Sequence, residues 1–200
     1  MNIGGLQKVS FCDFPGKVSA VIFTRGCNFN CPFCHNQQLI PMNAADGVVI
    51  DDKQVWRYLE TRRNQLDGLV VSGGEPSLQP DLAEFLQKAK ALGYTTKLDT
   101  NGSRPGVLQS LIACALVDFI AMDVKAPWRK YEHLAGCRID IGLIQASIKL
   151  ILDSKLPHQF RTTWYQELLT EDDLDAIKKI LPGKSNFLLQ PYVENGVSGI

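Results

Sequence analysis

No apolar run in this sequence approaches the roughly 18 residues that suggest a membrane span. No basic segment followed by an apolar core opens it either. Met1 to Ser10 mixes polar and apolar residues, unlike a secretory signal. Neither charge is in excess, because Lys+Arg and Asp+Glu are both 21. A protein that grips nucleic acid through phosphates carries surplus positive charge, so no nucleic-acid partner is expected. The same neutrality leaves no evident device for capturing an acidic nucleotide. Internal repeats and low-complexity linkers are missing too. Together these absences predict a soluble, cytoplasmic protein with no membrane partner. What is present is an ordinary globular balance of 45% hydrophobic and 21% charged residues, too apolar for disorder. Two hundred residues match a single domain over 1–200.

The six cysteines are Cys12, Cys27, Cys31, Cys34, Cys114 and Cys137. A disulfide scaffold would be shorter, secreted and more evenly studded. Three of the six instead fall in one tight stretch, Cys27-Asn28-Phe29-Asn30-Cys31-Pro32-Phe33-Cys34. In a chain without a signal peptide, such a triplet points to a metal site. Structural zinc usually takes four ligands. The nearby fourth donor, His35, directly follows Cys34 and is poorly placed to share its metal. An iron–sulfur cluster is held by thiolates, and three of them would leave one iron open for a substrate. A zinc knuckle stays open as the alternative.

Strand-like and helix-like segments alternate along the chain. Lys17 to Thr24, Gly68 to Ser72, Thr95 to Thr100, Asp118 to Val124, His158 to Tyr165 and Ser185 to Val193 have the length and β-branched content of strands. Helical patterns fill the gaps. One follows Asp51 and Asp52 and carries Val55 and Leu59. The next opens at Pro80-Asp81 with Leu82, Phe85, Leu86, Ala89 and Leu92 inward, and Gly93 stops it. A third opens at Pro105 and carries Leu108, Leu111, Ile112 and Ala115. Ile141, Ile144, Ile148 and Ile151 mark a fourth. Thr170 with Asp173 resembles a capping box for a fifth, striped by Leu174, Ile177 and Leu181 and ended by Pro182-Gly183. Met42 to Val48 reads as a loop.

Such alternation implies parallel pairing through right-handed crossovers, hence a doubly wound sheet or a β/α barrel. Six repeats are too few for a closed eightfold barrel. The expected fold is therefore α/β, a partial (β/α)6 barrel. After Tyr192 the chain runs through Glu194-Asn195-Gly196 without a closing helix, and a truncated C-terminal end is expected. Ligands of parallel β/α folds bind at the carboxyl ends of the strands. Arg25-Gly26-Cys27, Gly73-Gly74-Glu75-Pro76, Asp99-Thr100-Asn101-Gly102 and the Asp123/Lys125 pair all fall at such ends. Their convergence on one rim says more than any single motif.

With these residues in view, the sequence resembles the radical SAM superfamily. The basis is the C-x3-C-x2-C triplet with an aromatic before its last cysteine, and the Gly-Gly-Glu turn after the second strand. More narrowly, FPGKVSAVIFTRGCNFNCPFCHN, SGGEP, KLDTNG and MDVKAP together resemble the activating enzymes of glycyl radical enzymes. They are most similar to those serving anaerobic ribonucleoside-triphosphate reductase, with pyruvate formate-lyase activases as near relatives. The likeness runs from Gly5 to about Tyr192. The larger activases have a ferredoxin-like insert after the triplet, and this chain has none.

The resemblance implies a barrel of the radical SAM type with a 4Fe–4S cluster and S-adenosylmethionine. Cys27, Cys31 and Cys34 would hold three irons as the catalytic centre, and the amino and carboxylate groups of S-adenosylmethionine would chelate the fourth. Gly73 and Gly74 would let the backbone come close to that ligand, with Glu75 near its ammonium. Asp99 and Asn101 match positions around the ribose and methionine parts. Asp99, Thr100 and Asp123 match a monovalent-cation site. Lys125 and Arg161 match basic residues on the rim, and Phe33 would place backbone near adenine. Blander readings stand beside these: a tight turn at Gly73-Gly74, an Asx turn over Asp99 to Gly102, surface ion pairs for Lys125 and Arg161, and packing for Phe33. Cys114 falls in a helical stripe and is expected in the core, with Cys12 and Cys137 as free thiols. His35 receives no role. Trp56, Trp128 and Trp164 are expected to pack, with Trp128 able to edge the pocket.

The implied reaction begins with flavodoxin or ferredoxin reducing the cluster. S-adenosylmethionine then gives methionine and a 5′-deoxyadenosyl radical, which takes hydrogen from a glycine α-carbon in a partner enzyme. A six-repeat barrel leaves a lateral gap suited to a loop of a folded partner. The partner implied is the anaerobic ribonucleotide reductase. The alternatives are a pyruvate formate-lyase-type activase, a small-molecule enzyme such as 7-carboxy-7-deazaguanine synthase, and a metal-binding regulatory module.

Overall fold

A computed structural model describes residues 1–43, 49–181 and 186–193. Its frame is one seven-stranded sheet in the order β1-β2-β3-β4-β5-β6-β7. The strands are β1 (Ile3–Ser10), β2 (Ser19–Thr24), β3 (Gly68–Gly73), β4 (Thr95–Thr100), β5 (Phe119–Asp123), β6 (His158–Trp164) and β7 (Phe187–Pro191). From β2 to β7 every neighbouring pair is parallel. These are the six strands expected from the sequence, and among the described residues β1 and β7 do not pair with each other. The partial barrel is therefore open at its side.

The first strand was not expected. β1 pairs antiparallel with β2, with register shifts near Gly5 and near Ser10. As an edge strand it buries only Ile3 and Ser10 fully, so its sequence lacks the apolar run of a central strand. β3, whose Gly68 to Val71 are all buried, shows the contrast.

The crossovers are α1 (Asp52–Arg62), α2 (Leu82–Ala91), α3 (Pro105–Ala113), α4 (Tyr131–Ala135), α5 (Ile141–Ser154) and α6 (Glu171–Ile180). Local chemistry sets their starts. Asp51 accepts the Lys53 amide at the head of α1, and Asp140 accepts the Gly142 amide at the head of α5. The capping box of Thr170 and Asp173 is formed at α6. The proposed end of that helix at Pro182-Gly183, most of the Met42 to Val48 loop, Ser185 and the tail from Glu194 lie outside the described residues. The short α4, with the left-handed Gly136 at its end, was not expected either.

The helix-facing side of the sheet buries Ala20, Ile22, Leu69, Val71, Leu98, Ile120, Met122 and Phe160 in the main core. The concave side holds a smaller apolar group of Phe14, Val21, Val70, Phe119 and Ala121. Phe14 packs on Phe119 with ring centroids 5.8 Å apart. Cys114 corrects an expectation: it is exposed, not in the core. It sits beyond the last turn of α3, where the chain leaves the helix through Ala115 at φ 51. Leu108 and Leu111 alone carry that helix's fully buried face. Among the described residues no helix is long and apolar enough to cross a membrane.

Candidate active site

The carboxyl ends of β2 to β6 surround a cavity of about 480 Å³. Twelve of the thirteen residues singled out from the sequence line it: Cys27, Cys31, Phe33, Cys34, Gly73, Gly74, Asp99, Thr100, Asn101, Asp123, Lys125 and Arg161. Glu75 does not. Cavities of this size suit a nucleoside-sized ligand.

The cysteine loop is anchored at both sides. The Cys27 amide donates to the Ile40 carbonyl at 3.0 Å, and the Asn30 amide donates to the Ala135 carbonyl at 2.8 Å. All three thiols are free, with Cys31 buried and Cys27 and Cys34 half-buried. Burial pushes the Cys27 thiol up to about 12, against the Phe29 amide that points at its sulfur. Burial also raises Cys31, while the Lys125 charge pulls it back. Three free thiols on one wall of a cavity fit a cluster that takes three thiolates and leaves one position for a ligand. Among the described residues no group of three or more His, Cys, Asp or Glu side chains is assembled to hold a single ion.

Gly73 and Gly74 line the cavity, but the structure gives them a second reason. Gly73 has φ +114, and a Cβ there would stand 2.3 Å from the Thr24 nitrogen. A Cβ on Gly74 would stand 2.2 Å from the Gly26 carbonyl oxygen. The turn therefore lies backbone against backbone on the strand end that carries Cys27. The close approach is to the chain itself as well as to the cavity.

Glu75 differs from the expectation of a ligand contact. Its side chain is fully buried and does not line the cavity. It accepts the Ser77 amide at 3.0 Å, the Ser77 hydroxyl at 2.5 Å, the Thr100 hydroxyl at 2.8 Å and the Asn101 amide at 2.7 Å. Burial raises its pKa in spite of these donors. These bonds join the Thr100-Asn101 turn to the turn after β3. Asn101 continues the chain of contacts. Its amide nitrogen donates to Asn28 Oδ1 at 2.9 Å, and Asn28 in turn donates to the Ser103 hydroxyl at 2.9 Å. Asn28 and Ser103 were missed in the sequence, where nothing but their neighbours marked them.

The remaining wall is ionic. Lys97, which does not itself line the cavity, contacts Asp99 Oδ1. Arg161 reaches Asp99 Oδ2 at 3.2 Å and Asp123 Oδ1 at 2.9 Å. Lys125 reaches Asp123 Oδ2 at 2.8 Å. Burial opposes the Asp123 charge, yet Arg161 and Lys125 hold its carboxyl well below the usual range. The ion pairs of Lys125 and Arg161 thus lie inside the cavity wall and not on the outer surface. Every carboxylate oxygen of Asp99 and Asp123 already meets a cation, and the Thr100 hydroxyl oxygen, while donating to Glu75, already accepts the Gly102 amide at 3.1 Å. This donor set does not fit the monovalent cation implied by the resemblance. Lys97 was missed because a lysine within a strand reads as a solvent-facing residue.

Other residues join the rim unforeseen. Gln7, Cys12, Asp13 and Gln190 line the cavity from the first hairpin and the last strand. His35 lines it too and stacks on Tyr192 at 5.2 Å. The Phe33 ring is buried, with the Lys125 ammonium 5.9 Å from its centroid. Cys137 donates to the Asn28 carbonyl at 3.3 Å. Trp128 packs on Tyr131 at 5.5 Å and does not line the cavity, and Trp56 packs on Phe85 at 4.4 Å.

The family model of the Radical SAM superfamily matches residues 21–180, which span the cysteine loop and strands β3 to β6. The chain belongs to the radical SAM superfamily. Within it, the chain groups with the glycyl-radical enzyme activating enzymes. A Methanocaldococcus jannaschii protein with the provisional name glycyl-radical enzyme activating enzyme MJ1227 is 33% identical over 195 residues, 95% of this chain and 79% of that one. The pyruvate formate-lyase-activating enzyme of Clostridium pasteurianum is 29% identical over 129 residues. That match covers 62% of this chain and 52% of the relative, so this chain spans about half its length. Among solved structures, Streptococcus suis SuiB bound to S-adenosylmethionine superposes with a TM-score of 0.66 at 15% identity. It covers 86% of this chain and 39% of SuiB, and it shows the fold alone.

Proposed function

We propose that this chain binds S-adenosylmethionine and generates a glycyl radical on a partner enzyme, the anaerobic ribonucleoside-triphosphate reductase. The observation that carries the reading is the meeting of three free thiols with the turns after β3 and β4 and the Asp123/Lys125/Arg161 group around one cavity. Cys27, Cys31 and Cys34 would hold a 4Fe–4S cluster. When bound, that cluster supplies the electron for cleaving S-adenosylmethionine to methionine and a 5′-deoxyadenosyl radical, which takes hydrogen from a glycine α-carbon. The chain's own residues bind and orient. Gly73, Gly74 and Asn101 offer backbone and amide groups to the methionine and ribose parts, and Glu75 holds their turns in place. Lys125 and Arg161 line the cavity and Lys97 pairs with Asp99 outside its lining, so three positive charges meet two carboxylates, a surplus that suits an anionic group in the cavity. Phe33 and the walls of the cavity exclude water.

The open side between β1 and β7 supports a partner that inserts a loop. A flavodoxin or ferredoxin is the reductant of this reading, and the setting is cytoplasmic. The pyruvate formate-lyase-activating relatives favour a second partner, pyruvate formate-lyase. The test is anaerobic. The iron-loaded, reduced chain is given S-adenosylmethionine and either enzyme. A glycyl doublet in electron paramagnetic resonance on the reductase, absent without the chain, is expected. A doublet on pyruvate formate-lyase alone would reassign the partner. Rapid turnover of a free purine or pterin without any doublet would move the chain to the small-molecule enzymes. Full cleavage of S-adenosylmethionine by a Cys31→Ala protein would remove the cluster assignment.

A further inference from the structure

Asp99 and Asp123 stand on the concave face of the sheet, and the chain itself supplies a cation to each of their four oxygens. The placement follows from strand geometry. Lys97 and Asp99 are two apart on β4, so both side chains point to one face. Lys97 is 2% exposed, and its ammonium lies 5.9 Å from the Phe119 centroid and in contact with Asp99 Oδ1. Arg161 pairs in register with Asp123 across β5 and β6. Ala121 stands opposite Asp99, and its small side chain leaves room for the guanidinium to reach both carboxylates. Lys125 takes the last oxygen, Asp123 Oδ2. A buried lysine needs such a partner, because an isolated ammonium out of water is expensive.

We propose that the Lys97 ammonium stands in for an exchangeable monovalent cation, so that the cofactor cavity of this chain is organised without sodium or potassium. An ammonium is a compact point charge like those ions. Being tethered, it loses no translational freedom on reaching Asp99, unlike a free ion. Arg161 then bridges Asp99 to Asp123 and carries the order set at β4 across to Lys125 beside the cysteine loop. The proposal rests on the reading that this cavity takes S-adenosylmethionine.

The test has two arms on the full, iron-loaded chain at constant ionic strength, comparing potassium, sodium and choline chlorides. The first arm is thermal melting without S-adenosylmethionine. Wild type is expected to melt within about 1 °C in all three salts. Lys97→Met is expected to melt lower in choline and to recover in potassium or sodium, whereas Lys97→Arg keeps the wild-type pattern. The second arm is the dissociation constant for S-adenosylmethionine. It should change less than about twofold between salts for wild type, and weaken about tenfold in choline for Lys97→Met with recovery in potassium. Saturable tightening or stabilisation of the wild type by potassium at millimolar levels would overturn the proposal. So would a Lys97→Met protein that ignores the salt. If Lys97→Met does not fold, the wild-type salt series decides alone. Absence of S-adenosylmethionine binding in every salt would instead count against the cofactor reading, while the melting arm still judges the cation.

Discussion

The Glu75 carboxylate accepts the Asn101 backbone N–H at 2.7 Å and thereby locks the turn after β3 to the turn after β4. A carboxylate in this position serves the cavity without touching it. Glu75→Ala leaves the Ser77 and Asn101 amides without their acceptor in a dry site, which costs about 1–3 kcal/mol per orphaned group. Urea unfolding should show a loss of at least about 2 kcal/mol, and affinity for S-adenosylmethionine should fall with it. Unchanged stability with lost binding would make Glu75 a direct ligand contact.

Gly136 ends α4 in the left-handed region at φ +67, and a Cβ on it would stand 1.9 Å from the Asn30 carbonyl oxygen. Gly93 has φ +93 but open space around it. Gly93→Ala should therefore cost only backbone strain, about 1 kcal/mol. Gly136→Ala should cost more and push the cysteine loop outward. Iron retained per chain after anaerobic reconstitution should fall for Gly136→Ala alone.

Thiol reactivity should follow burial. Cys12 and Cys114 are exposed, whereas Cys31 is buried and both Cys27 and Cys31 are raised by desolvation. Because the thiolate is the nucleophile, iodoacetamide should label Cys12 and Cys114 at least about tenfold faster than Cys27 or Cys31 in the metal-free chain. Peptide mass spectrometry over a time course reads this directly. Equal rates would mean that the cysteine loop is not packed as described.

Asp173 at the start of α6 pairs with Arg129 and Lys130, which ties that helix to the segment after β5. Burial opposes its charge, but Lys130 and the Thr170 cap lower its pKa to about 2. A depressed carboxyl contributes stability above its unfolded pKa and loses it as pH falls through the folded one. The stability gap between wild type and Asp173→Asn should be full near about pH 5 and close as pH approaches about 2. Urea midpoints across that range test it, and a gap independent of pH would remove the ion pairs as its cause.

The sequence by itself determined much of this protein. Short apolar, β-branched segments such as Gly68 to Ser72 favoured strand over helix, and caps such as Thr170/Asp173 marked helix starts. Alternation of the two implies parallel pairing, and parallel pairing puts the motif-bearing turns at one end. Twelve of the thirteen proposed residues therefore reach the cavity. Tertiary structure decided the rest, because the deciding contacts lie far apart along the chain. β1 carries no strong pattern, since an edge strand is only half buried. Glu75 looks like a ligand contact until Thr100 and Asn101 are seen to claim it. Cys114 keeps a helical phase with the core but leaves the helix before it can use it. Lys97 carries no signal of its place in the sequence until Asp99 is seen to pair with it. Local chemistry says where a strand or helix begins; which of two faces a polar side chain meets, and what waits there, depends on partners the local sequence does not name.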